Sequence, residues 1–237
     1  MKQDKALLVL ENLSIGYSGV LASEINARVD PGEVIAVLGP SGIGKTTLVR
    51  TIAGLVEPIK GDVELNVEKQ GGLGYIPQKL GLVRHASVYH NVNLGARASL
   101  PLLKGGSEER RKRVNSALVA LGIEEKTTEP VRRLSGGQLR RVATARALAQ
   151  RPSLLLADEF LSELDHYTVD VVIAAVKELL DTGTSIIMVE HHEENVALLA
   201  TRVWLIQDEK LLDFSIDEWE RIGPGIQLDH RLGGEEE

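Results

Sequence analysis

Val34-Ile35-Ala36-Val37-Leu38, a compact and mostly β-branched run, leads directly into Gly39-Pro40-Ser41-Gly42-Ile43-Gly44-Lys45-Thr46-Thr47. Thr46 to Ala53 then carries apolar residues at helical spacing and stops at Gly54, a residue suited to a C-cap. The order predicted is buried strand, glycine-rich turn, helix, and that order commits the chain to an α/β core. The glycines let the backbone turn its N–H groups inward, and the helix adds its positive N-terminal end, so the loop is built for an anion. Within Gly-x4-Gly-Lys-Thr, Lys45 is placed to reach the β- and γ-phosphates of a nucleotide, and the Thr46 hydroxyl to ligate Mg²⁺.

Further along, Leu154-Leu155-Leu156-Ala157 and Ser185 to Val189 are short apolar runs of the parallel-sheet type. Val169 to Leu180 lies between them with helical periodicity, which predicts a βαβ crossover. Leu7 to Tyr17 alternates as a strand near the N-terminus, and Val203-Trp204-Leu205-Ile206 reads as a final strand. The stretch from Ala86 to Gln150 differs. It has few strand signals, a Gly105-Gly106 break, and helical spacing in Glu108 to Leu121 and Gln138 to Ala149. The expected fold is therefore α/β: a P-loop NTPase core with a mainly parallel sheet, an antiparallel β portion near the N-terminus, and an inserted helical subdomain. Residues 1–85 and 151–237 would form the core and about 86–150 the insert, all within one domain. Gly233 to Glu237 reads as a solvated tail.

The first apolar run ends in Asp158-Glu159, at the carboxyl end of a strand where α/β sheets hold ligands. Asp158 suits a magnesium handle, and Glu159 is placed to polarise an attacking water. Between the phosphate loop and these acids lies Leu134-Ser135-Gly136-Gly137-Gln138. Ser135 is a natural N-cap, and the glycines permit close backbone approach to an anion; alone, the segment fits an ordinary helix start better. A second phosphate-binding helix start has little use for one nucleotide in one chain. It gains a use if this surface closes on the nucleotide held by another copy. Arg132, Arg133, Arg140 and Arg141 flank the segment and suit the field around a phosphate or the surface of a neighbouring subunit.

Composition narrows the rest. Aromatics at 3% argue against stacking platforms for single-stranded nucleic acid, and a net charge of −7 argues against general affinity for DNA or anionic lipid. With no cysteine there are no disulfides, thiolate metal sites or cysteine nucleophiles. No run approaches the roughly 18 apolar residues of a membrane span, and the N-terminal segment is too short and polar for a signal peptide. Glu108 to Arg113 mixes acids and bases within one turn, which suits a solvated helix face better than a nucleic-acid patch. His191-His192 followed by Glu193-Glu194 raises a metal site, but neighbours on a strand face opposite ways.

On these motifs the chain resembles ABC-type ATPases, the nucleotide-binding subunits of ABC transporters, from about Leu7 to Ile206. The resemblance implies that Gly39 to Thr47 (Gly39, Pro40, Ser41, Gly42, Ile43, Gly44, Lys45, Thr46, Thr47) is the Walker A loop. It makes Ser135, Gly136, Gly137 and Gln138 part of the family signature, Asp158 the end of the Walker B strand, and Glu159 the catalytic glutamate. It further implies that Tyr17 stacks on adenine and that Gln78 contacts Mg²⁺ and the attacking water. Asp165, in Ser162-Glu163-Leu164-Asp165, would speak to the opposite protomer, and His191 would sense the γ-phosphate. Departures are Ile43 for a small polar residue, Phe160 for the proline that commonly follows the glutamate, and Glu190 where threonine or serine is common.

What the resemblance implies is an ATP- and Mg²⁺-dependent subunit that energises solute transport by ATP-driven closure of a head-to-tail dimer with a second copy or a homologous subunit. Its other partners would be transmembrane permease subunits, contacted near Lys79 to Ala98, and a solute-binding protein, with no nucleic acid. Its place would be cytoplasmic, peripheral on the membrane. The alternative is a soluble ABC-type ATPase without a transport role, such as one assisting iron–sulfur cluster assembly. The Leu-Ala-Asp-Glu acidic strand and Gly81-Leu82-Val83-Arg84 are also similar to phosphonate-type importers and to lipoprotein- or macrolide-type exporters, which leaves direction open.

Overall fold

The protein is described here by a computed structural model covering residues 5–100, 106–162, 164–191 and 193–223. The acidic tail, the Gly105 break, Glu163 and His192 lie outside these. In chain order the elements are β1 (Leu8–Gly16), β2 (Val20–Val29), β3 (Val34–Leu38), α1 (Lys45–Ile52), β4 (Lys60–Leu65) and β5 (Leu73–Ile76). There follow α2 (Val88–Ser99), α3 (Gly106–Ala120), α4 (Gly136–Gln150), β6 (Leu154–Asp158) and α5 (His166–Asp181). The chain ends through β7 (Ser185–Val189), α6 (Glu193–Leu199), β8 (Arg202–Gln207), β9 (Lys210–Ser215) and α7 (Ile216–Ile222). Two compact units divide it: Met1–Asn66 with Ile187–Glu237, and Val67–Ile186.

In the first unit, β2, β1 and β4 form an antiparallel sheet, with Leu8 opposite both Val29 and Leu65. Leu8, Leu10, Leu13, Ile15, Ile25 and Val29 are fully buried, which gives this sheet its apolar side. The all-buried β3 pairs in parallel with β8, and β8 pairs antiparallel with the more polar β9. Continuous β-branched runs without polar alternation are what strands covered on both faces require. Arg202 ties this region down: it donates to Glu33 at 2.7 and 2.8 Å and also pairs with Asp213 on β9.

The second unit holds the parallel pair β5–β6, with Leu73 opposite Leu154, and the helices α2 to α5. Among the described residues, the segment from 86 to 150 carries α2, α3 and α4, two short 3₁₀ turns and one isolated antiparallel bridge between Ser87 and Pro130. On α3, Glu108–Lys112 and Glu109–Arg113 pair one turn apart in the favourable order, so the mixed charges serve their own helix. Helix α4 buries Val142, Ala143, Ala145, Ala147 and Ala149, and its small side chains let neighbours approach closely.

The approach of α2 to α4 depends on Gly95. A Cβ built there would stand 1.9 Å from the Arg146 carbonyl oxygen, and no rotamer change moves a backbone oxygen. Gly95→Ala is therefore expected to destabilise the protein by about 1–3 kcal/mol, overpacking outweighing the ~1 kcal/mol that alanine gains in helix propensity. A lowered urea midpoint at constant m-value would show it. An unchanged or raised midpoint would mean the two helices do not pack this way.

Candidate functional site

The candidate residues fall into two groups, one in each unit. The first is the turn between β3 and α1. Gly39, Gly42 and Gly44 have φ of 143°, 77° and 114°, so the loop is built on conformations that side-chain-bearing residues avoid. Gly39 is doubly required, because an added Cβ would lie 2.5 Å from the Ile206 carbonyl oxygen. Pro40, Ser41, Gly42 and Ile43 form the accessible rim, while Lys45 and Thr47 are buried and Thr46 is half-buried. Lys45 Nζ donates to the carbonyl oxygens of Gly39 and Pro40 at 2.7 and 2.8 Å, which holds the ammonium inside the loop.

Helix α1 begins differently from the other α-helices whose N-caps are described. Ser87, Ser135, Asp165 and Ser215 cap α2, α4, α5 and α7 with side-chain acceptors, whereas Gly44 offers α1 none. The start of α1 is thus not closed by a side-chain cap, and the helix macrodipole favours an anion there. The arrangement fits a polyphosphate on three counts: a turn built on left-handed glycines, an ammonium held by carbonyls, and a helix start without a side-chain cap. Tyr17 directly follows β1 and is 62% exposed, so its ring is accessible to a planar ligand. His191 follows β7 and is half-buried. Its neighbour Glu190 is buried and accepts a 3.4 Å hydrogen bond from Asn195 Nδ2, which anchors that carboxylate within the unit.

The second group surrounds the carboxyl end of β6. Asp158 is fully buried as the last residue of the strand. Glu159 then turns the chain with φ 51°, a left-handed conformation that costs a non-glycine residue of order 1–3 kcal/mol and tends to mark functional sites. Gln78 Nε2 donates to Glu159 Oε2 at 2.7 Å, so two of the residues singled out from the sequence meet directly. Phe160, the departure from the common proline at this position, is buried. A carboxylate oxygen such as that of Asp158 is a donor of the kind a hard cation such as Mg²⁺ selects, as is, in the first unit, the hydroxyl oxygen of Thr46. Among the described residues no group of three or more His, Asp or Glu side chains is placed to hold a metal, and His192 of the His191-His192 pair lies outside the described residues.

Ser135 caps α4 through a full capping box: its Oγ accepts from Gln138 N at 3.3 Å, and Gln138 Oε1 accepts from Ser135 N at 3.0 Å. Ser135 and Gly136 are exposed, and a Cβ at Gly136 would meet nothing within 4 Å, so this helix start is open to another molecule. Asp165 caps α5 by accepting from Thr168 N at 2.8 Å and Thr168 Oγ1 at 2.9 Å. These bonds, from the backbone first and the hydroxyl second, hold its carboxyl below the usual carboxylate range.

The sequence leads one to expect Arg140 and Arg141 to face a phosphate or a neighbouring subunit, and the structure corrects this. Arg140 is buried and donates from Nη1 to the Glu159 carbonyl at 2.8 Å, while Arg141 Nη1 binds the carbonyls of Leu121 and Gly122 at 3.2 and 3.1 Å. Arg146, which the sequence did not single out, donates to the carbonyls of Leu80 and Gly81, both at 2.8 Å, and fixes the turn just after Gln78. Burial lowers its pKa from the ordinary arginine value. The available signal was the presence of arginines inside an alanine-rich helix, where long cationic side chains need internal acceptors.

A family model described as ABC transporter matches residues 22–162, more than half of the chain. A provisionally named 2-aminoethylphosphonate import ATP-binding protein of Salmonella paratyphi A is 36% identical over 86% of this chain, which spans 57% of that relative's length. The thiamine import ATP-binding protein of Aliivibrio fischeri is 35% identical, over 80% of this chain and 82% of its own. Among solved structures, a dimeric ATP-binding cassette in a post-hydrolysis state with ADP and phosphate superposes with a TM-score of 0.77 at 26% identity, covering 88% of this chain and 98% of that one.

Proposed function

Because this chain belongs to the ABC transporter family, we propose that it binds and hydrolyses ATP to drive a solute across a membrane. The observation that carries this reading is the turn before α1, where Lys45 is held by the Gly39 and Pro40 carbonyls beneath a helix start without a side-chain cap. In this reading Gly39 to Thr47 hold the phosphates and Tyr17 stacks on the base. Thr46, Asp158 and Gln78 would hold Mg²⁺, which supplies charge neutralisation at the phosphate oxygens. Glu159 takes a proton from the attacking water as that water bonds to the γ-phosphorus, and the bond to the β-phosphate oxygen breaks to leave ADP. Gln78, bonded to Glu159, orients the same water, and His191 senses the γ-phosphate.

The exposed start of α4 supports a dimer in which Ser135, Gly136, Gly137 and Gln138 close on the nucleotide of a second copy or a homologous subunit, with Asp165 facing the partner. The ATPase unit would then be the whole chain acting as one domain. Membrane attachment would come through permease subunits. The cleft lined by Lys79, Leu80, Gly81, Arg84, Arg132 and Leu139 suits a permease segment, because Arg146 ties its wall to the turn after Gln78. Among the described residues no helix is long and apolar enough to cross a membrane; in this reading the chain is held peripherally on the cytoplasmic face by those permease subunits. The relatives named above are import subunits, which favours import, with a solute-binding protein as a further partner, over a soluble assembly ATPase.

Ser135→Arg tests the pairing. Light scattering with ATP in the absence of Mg²⁺ should show mass doubling for the native chain and a monomer for the variant, while a fluorescent ATP analogue binds both within about threefold. ATP-driven dimers of Ser135→Arg would remove the signature from the interface. Purification of the native chain with a membrane protein attached is the result expected of a transport subunit.

A further inference from the structure

Glu159 is the one candidate catalytic residue whose backbone is strained, with φ of 51°, and its carbonyl oxygen is the focus of several donors. Arg140 Nη1 reaches it at 2.8 Å, Ser162 Oγ at 2.8 Å and Ser162 N at 3.3 Å. Arg140 lies on α4, five residues past the Ser135 cap, and is 8% exposed. A left-handed glutamate persists only where its surroundings over-determine it, and a guanidinium on its carbonyl is a strong way to do so. Phe160 is consistent with this. A proline there would bias the preceding residue toward extended backbone, and Phe160 imposes no such bias.

We propose that Arg140 is a positioning residue, which by gripping the Glu159 carbonyl from α4 holds the left-handed turn that aims the Glu159 carboxylate beside Gln78. Arg140 touches neither nucleotide nor water; it acts through Glu159. The inference rests on the reading of Glu159 as the base of an ATPase.

The test is single-turnover ATP hydrolysis by the full chain, with Arg140→Met and Arg140→Lys each made in the native and the Glu159→Gln backgrounds. Arg140→Met should lower the rate about tenfold, the scale of one lost charge-assisted hydrogen bond, while the affinity for a fluorescent ATP analogue stays within about twofold. Arg140→Lys, which keeps a cationic donor, should recover part of the rate. In the Glu159→Gln background Arg140→Met should cost less than about twofold more, because residues acting through one group are not additive. A native rate for Arg140→Met, or an equal loss in both backgrounds, overturns the proposal. Should Arg140→Met fail to fold, Ser162→Ala removes another donor to the same carbonyl, and a severalfold loss confined to the native background is then required. Native turnover by Glu159→Gln itself would instead overturn the assignment of the base, a separate failure.

Discussion

Lys45→Ala is expected to lower ATP affinity by about 10²-fold or more and to bring turnover to background. Lys45 is 5% exposed, and its ammonium is held by the carbonyls of Gly39 and Pro40, so it enters binding already dehydrated and oriented. Hydrogen bonds to charged groups contribute roughly 1.5–3 kcal/mol each, and losing one or two of them toward the phosphates gives the stated factor. Stability should change little by comparison, since removing a buried ammonium also removes its desolvation cost. Titration with a fluorescent ATP analogue, phosphate release and a melting curve together separate the two effects. Normal turnover by a folded Lys45→Ala chain would remove the phosphate loop from the function.

Glu159→Gln should retain ATP and lose hydrolysis by about 10²–10³-fold, within the range of a general base. The substitution is nearly isosteric. It leaves the backbone carbonyl for Arg140 and Ser162, and the new amide oxygen can still accept from Gln78, so geometry survives while the proton acceptor is lost. Binding without turnover should accumulate the closed pair, and light scattering with ATP should report a doubled mass. A monomer with and without ATP would mean that the chain pairs only with a different subunit. Hydrolysis at the native rate would pass the role of base to another residue.

The run from Val34 to Gly54 is legible in the amino-acid sequence as strand, turn and helix because each segment follows a local rule. This extends to Gly54, whose φ of 68° closes α1 as the expected left-handed cap. The Ser135–Gln138 capping box is equally local, since the groups it satisfies lie within four residues. Strands β6, β7 and β8 announce themselves by continuous apolar runs. Less is readable past Ile206. Only two residues of β9 are even half-buried, so its pattern is mostly polar, and α7 is a single short helix whose Trp219 is buried beside Phe214. Helix α2 is hidden in the sequence because Gly95 and two asparagines weaken its local preference, and what holds it is packing on α4.

By itself, then, the sequence determined the chemistry available: which loop can cradle phosphate, which strand ends in paired acids, and which helix start presents a capped but open face. Those depend on residues close together along the chain, where propensity, capping and spacing act. Only the tertiary structure decided that Gln78 meets Glu159 across 81 positions, that Arg146 reaches back to Leu80 and Gly81, and that Arg140 turns inward onto a strained glutamate. An arginine in a helix can face water or a buried carbonyl with the same local pattern. The choice falls to whichever buried acceptors the fold leaves for it to satisfy.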